Sequence, residues 1–137
     1  MLRWIGYGAQ TLLGLLFLFS AYSKLAGDMN EARDHLGLAP WFWTLAAIVQ
    51  VVGAAGLLAG LAYPRVAVLA GLWLGATMAV AALTHVLAGD PLVDASGALV
   101  LMAAVLGVAA LHWRAARLTD LIRSERTPAG RSAAAAR

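Results

Sequence analysis

The sequence predicts an all-α fold: a four-helix transmembrane bundle with N and C termini cytoplasmic and a short surface helix between spans one and two. Three observations predict it. The 137 residues are 62% hydrophobic and only 12% charged, with a mean hydropathy of +0.79, which leaves too little polar surface for a soluble domain of this size. The apolar residues come in four blocks of roughly 20, the length at which a helix crosses ~30 Å of hydrocarbon. The basic residues are shared unevenly between the segments that join those blocks.

The first block runs from about Trp4 to Leu25. Arg3 gives it the basic start of a signal peptide, but the apolar stretch is long and "SAYSKLAG" is a poor cleavage site, so it is read as a retained span. Residues 26–40 form the first connection. Within it "DMNEARDHLG" carries a helix signature, with Asp28 as N-cap, Glu31 three residues on and Gly37 as the stop. Pro40 then suits the first turn of the second span, 41–61. The turn "AYPR", with Pro64, is so tight that spans two and three are antiparallel neighbours. The third span covers 66–87 and the fourth 92–113. The acidic connection "AGDPLVDASG" between them is read as partly re-entrant, or capped by Asp94 or Ser96.

Residues 1–113 thus make one membrane domain and 114–137 a basic cytoplasmic tail. In the tail Leu118, Leu121 and Ile122 share a helical face, with Arg114, Arg117 and Arg123 largely off it. That suits an extension of the fourth helix resting on anionic headgroups, or a plain stop-transfer flank. The ending "TPAGRSAAAAR" has the composition of a disordered segment.

With the N-terminus inside, Arg3, Arg65 and six tail arginines lie on the cytoplasmic side, eight of the ten basic residues. Lys24 and Arg33 lie outside. Trp4, Tyr7, Tyr63 and Trp113 mark the inner boundary, and Tyr22, Trp41 and Trp43 the outer one. This topology, rather than nucleic-acid binding, explains the net charge of +3 and pI of about 10.0. The absence of cysteine excludes disulfides, thiol redox chemistry and cysteine-ligated metals. His35, His85 and His112 cannot form one metal site, because His112 falls at the opposite membrane face.

Helices in lipid associate through small residues. The candidate packing positions are Gly53, Gly56 and Gly60 in span two and Gly71 and Gly75 in span three. Rare polar residues fall on the same stripes: Gln10, Gly14, Phe17, Ala21 and Lys24; Ala46, Gln50, Gly53 and Gly60; Gly71, Gly75, Met78, Ala82 and His85. They therefore face the bundle interior. Span four has no mid-membrane polar group and closes the bundle. Ser20, Lys24, Gln50 and His85 outline a polar pocket toward the outer leaflet for an anionic or carbonyl-bearing ligand, a quinone or a lipid head. The plainer reading has Lys24 snorkelling to headgroups or locked to Asp28, Asp90 or Asp94, Gln50 as interhelical glue and Trp73 as packing.

The stretches "LLGLLFLFSAYSKLAG" and "HLGLAPWFWTLAAIVQVVGAAGLLAGL" resemble DoxX and DoxX-like membrane proteins, over roughly residues 10–112. The resemblance implies a small four-span protein of the bacterial cytoplasmic (inner) membrane. The founding members are associated with a thiosulfate:quinone oxidoreductase, to which the family supplies a membrane subunit. Other relatives are linked to oxidative-stress and thiol-homeostasis complexes. Gln50 stands where members often carry a glutamate, and an amide cannot exchange a proton as a carboxylate does.

The first expectation is therefore an accessory subunit without catalytic or metal-binding residues. It would bind a partner protein or a second copy within the bilayer and hold a quinone or lipid. The second is a quinone-linked oxidoreductase subunit, with Lys24 and His85 on the quinone oxygens. A small transporter ranks last, since Pro64 and Pro91 lie at helix ends instead of interrupting spans.

Overall fold

In lipid every backbone amide must be paired within its own segment, and a helix does this without a neighbour. The computed structural model describes residues 2–126, and these form five helices and no strand. They are α1 (Leu2–Ala26), α2 (Asn30–His35), α3 (Pro40–Ala59), α4 (Pro64–Ala88) and α5 (Leu92–Arg126). Four stretches are long and apolar enough to cross a membrane: Gly6–Ala26, Pro40–Ala59, Pro64–Ala88 and Leu92–Leu118. The "TPAGRSAAAAR" ending lies outside the described residues.

Helix ends follow local chemistry. Pro40 and Pro64 open α3 and α4 at the first helical position, where the missing N–H costs nothing. Gly89 ends α4 at φ 80°, a left-handed conformation open to glycine. Its N–H donates to Val86 O at 3.1 Å, and that of Asp90 to His85 O at 3.0 Å. Gly37 closes α2 in the same way, with Leu38 N–H on Arg33 O at 3.0 Å.

Two local expectations are corrected. Asp28 is not the N-cap of α2: the cap position is Met29, without a side-chain cap bond. The Asp28 N–H instead donates to Ser23 O at 3.1 Å, so Asp28 belongs to the closing turn of α1. Neither Asp94 nor Ser96 caps α5, because helix begins at Leu92. Asp94 and Ser96 are already inside the first two turns, the Asp94 N–H on Pro91 O and the Ser96 hydroxyl on Val93 O. The helix also runs past residue 113 without a break, to Arg126.

The four long helices pack in a ring, α1 against α3, α3 against α4, α4 against α5, and α5 back on α1. The α4–α5 interface is the broadest and α1–α5 the slimmest. The core is Leu13 and Phe17 from α1, Ala54 and Leu57 from α3, Ala70, Leu74 and Met78 from α4, and Val105 and Val108 from α5. Glycine lets the backbones close on one another. A Cβ at Gly60 would lie 2.6 Å from Ala67 Cα, and one at Gly56 2.9 Å from Ala70 Cβ. One at Gly53 would meet Leu74, one at Gly71 Val105 O, and one at Gly75 Leu106. The α3 and α4 backbones therefore come into contact next to their connecting turn.

Tyr22, Trp41, Tyr63 and Trp113 are exposed, as side chains at a lipid–water boundary are. Trp43 departs from that expectation. It is only 8% exposed and packs inside the bundle, because it sits one helical turn before Ala47 and two before Gln50, on the buried face of α3.

Candidate functional site

Away from the glycine contacts, toward α2, the space between α3 and α4 holds a cavity of about 550 Å³. That is within the range of small-molecule sites. Ala46, Val49 and Gln50 wall it from α3, Met78, Ala81 and Thr84 from α4, and Met29, Ala32 and Leu36 cover it from α2 and its approach. Leu45, Trp73 and Val80 line the cavity and are also exposed on the bundle surface. The cavity therefore reaches the bundle surface along the α3–α4 seam.

Lys24 enters from α1. Its ammonium donates to Gln50 Oε1 at 2.6 Å and to Ser20 Oγ at 3.2 Å, and lies 5.4 Å from the centre of the Trp43 ring. A cation at that distance over indole is attracted by its π face. Among the described residues no carboxylate pairs with Lys24. The Gln50 side chain is almost fully buried, and its oxygen is oriented by the lysine, which can only donate. The Trp43 indole Nε1 is buried without a hydrogen-bond partner. Ser23 is buried beside this group but on no described bond to Lys24.

His85 also lines the cavity but belongs to a different constellation. Its Nδ1 donates to Asp90 Oδ2 at 2.7 Å, and His35 Nε2 donates to Asp90 Oδ1 at 2.7 Å. An ionised carboxylate only accepts, so both imidazoles must present N–H groups to it. The hydrogen bond from His85 first, then that from His35, hold the Asp90 carboxyl below its ordinary range. The Gly89 turn places Asp90 beside His85, and His35 fastens α2 to this pair at the cavity rim. Arg33 and Asp34 of α2 pair with each other at 2.7 Å. Trp73 donates from Nε1 to Val49 O at 3.1 Å, a clip across the seam.

The structure thus brings Ser20, Lys24 and Gln50 into one bonded group and sets His85 on the same cavity through a separate network. Sequence reading paired Asp90 with Lys24 as one option; the structure gives Asp90 to the histidines instead. It also missed two participants. Trp43 reads by residue type as a boundary aromatic, although its spacing from Ala47 and Gln50 marks it as inward-facing. His35 lacked any signal, since its partner is 55 residues away.

At the opposite end lies a second buried polar group. Gln10 Nε2 donates to Leu57 O at 2.6 Å, and Gln10 Oε1 accepts from His112 Nε2 at 2.6 Å. Leu57 O is a helix-end carbonyl that the backbone passes over, because the Leu61 N–H turns to Leu58 O. Gln10 caps it and joins α1, α3 and α5.

Residues 8–111 match the sequence model of the DoxX-like family. No curated protein and no solved structure gives a significant match.

Proposed function

The chain is a multi-pass membrane protein of the DoxX-like family, and from that premise we propose that it is a non-catalytic accessory subunit of a membrane complex that holds a quinone or lipid in the cavity between α3 and α4. The observation that carries this reading is the Lys24–Gln50 bond at one end of a mostly apolar cavity open to lipid. A lipid-soluble molecule enters sideways, and its hydrogen-bond-accepting head meets Ser20, Lys24 and Gln50. Eight of ten basic residues on one side orient the bundle with both termini cytoplasmic. Then α2 lies at the outer surface, residues 1–113 form the membrane domain and the basic tail from 114 stays inside. The membrane is the bacterial cytoplasmic one.

A second reading, a quinone-linked oxidoreductase subunit, is favoured by Lys24 and His85 lining the same cavity. The accessory role ranks above it because Gln50, an amide, cannot exchange protons with a quinone.

Native mass spectrometry of gently extracted protein tests the proposal. The wild type carries one lipid-soluble molecule and co-purifies with a partner. Ala81→Trp, which fills the cavity, loses the molecule and keeps the helical circular dichroism. Bare-polypeptide masses for both proteins, with nothing retained, would sink it.

A further inference from the structure

We propose that the ligand's head is an oxyanion, so that the cavity takes a single-chain amphiphile with an anionic head rather than a neutral carbonyl compound. This rests on the reading of the cavity as a ligand site and names the class of ligand.

The first ground is a missing counter-charge. Lys24 is half-buried at the end of an apolar span, and its described partners are the dipoles of Gln50 and Ser20 and the face of Trp43. A cation removed from water without an opposite charge is unfavourable. The acids at this end of the molecule do not supply one. Asp90 is engaged by His35 and His85, and Asp34 by Arg33. Asp28, Glu31 and Asp94 are exposed.

The second ground is the chemistry around that charge. The Gln50 oxygen is taken by Lys24, and the Trp43 ring turns its π face to the ammonium. The Trp43 indole N–H is enclosed by the protein and has no partner among the described residues. What the lysine end offers to the cavity is therefore a cation. An oxyanion matches that charge, whereas a neutral carbonyl leaves it unmatched. The lateral opening past Leu45, Trp73 and Val80 carries the apolar chain into lipid.

Equilibrium binding to the full-length protein in nanodiscs of zwitterionic lipid tests this, with four probes: radiolabelled oleate, and methyl oleate, a lysophosphatidate and decylubiquinone as competitors. Oleate or the lysophosphatidate binds saturably, and whichever is tighter identifies the head as carboxylate or phosphate. Methyl oleate and decylubiquinone compete at least about tenfold more weakly. Lys24→Met weakens the anion at least about tenfold, and Lys24→Arg keeps most of the affinity. A further readout separates a ligand site from an anchor: ligand-free Lys24→Met melts within a few degrees of wild type, because the unmatched charge that it removes offsets the Gln50 oxygen that it leaves without a donor.

Equal or tighter binding of the neutral probes would overturn the oxyanion while leaving the cavity as a ligand site. So would unchanged oleate affinity in Lys24→Met. Binding of none of the four, together with an Ala81→Trp protein indistinguishable from wild type, would overturn both.

Discussion

The two ends of the bundle each bury a glutamine, and they differ in what surrounds it. Gln10 is fully enclosed, spends its nitrogen on a helix-end carbonyl and its oxygen on His112, and ties three helices together. Gln50 spends its oxygen on a lysine that has no counter-charge among the described residues, beside an open cavity. The same side chain is a finished structural joint in one place and part of an unfinished site in the other. A polar group in a membrane interior is explained when its partners are protein atoms. Where they are not, the missing partner is informative. The seam between α3 and α4 shows the same contrast. It is closed to backbone contact at Gly60 and open to a ligand-sized space beyond Gly53.

The comparison breaks most severely at Gly60. Gly60→Val drives side-chain atoms into the Ala67 backbone, so α3 and α4 must part. Such overpacking costs roughly 1–3 kcal/mol or more, and thermal unfolding in detergent should show the largest drop of any single change discussed here.

Next is Gln10→Leu, which leaves Leu57 O and His112 Nε2 without their partner. Stranding buried polar groups costs about 1–3 kcal/mol. The expected result is a lowered melting point with ligand binding retained; a neutral Gln10→Leu would remove the distinction between the ends. Lys24→Met sharpens that distinction through its size. Ligand-free stability should change by less than about 1 kcal/mol, because the unmatched charge removed offsets the Gln50 oxygen left without a donor, and a clear loss would make Lys24 a structural lock.

The smallest effect belongs to the Asp90 clasp. A single nitroxide attached through Glu31→Cys, in a chain with no native cysteine, reports the motion of α2. Asp90→Asn should loosen the label without moving the melting point. The carboxyl titrates below 3.8, its ordinary value, so the clasp contributes fully above that pH and is lost only as pH falls through the lowered value. The spectrum should therefore hold from neutral pH down to about 4 and loosen beneath it. Loosening well above that would assign α2 to other contacts.

Local composition carried much of the fold. Apolar blocks of spanning length mark the four crossings, and Pro40, Pro64 and Gly37 stand where helices begin or stop. The stripes through Gln10, Phe17 and Lys24, and through Gly71, Met78 and His85, fall on faces turned to the bundle. Boundaries were less legible. Asp28 has the chemistry of a cap, yet the turn that closes α1 uses its backbone first. Trp43 reads as a boundary aromatic by type and as an inward residue by spacing, and spacing decided.

The sequence by itself determined that the chain has four helices long and apolar enough to cross a membrane and which faces turn inward, because hydropathy and the 3.6-residue period are properties of each helix alone. Only the tertiary structure decided which polar groups meet. Gln10 and His112 are 102 residues apart, Lys24 and Gln50 are 26 apart, and His35 and Asp90 are 55 apart. Their pairing depends on how far each helix slides and turns against its neighbours. That register is set by where glycine lets backbones touch and where side chains hold them apart. The same geometry left Lys24 beside a space that the described residues do not fill.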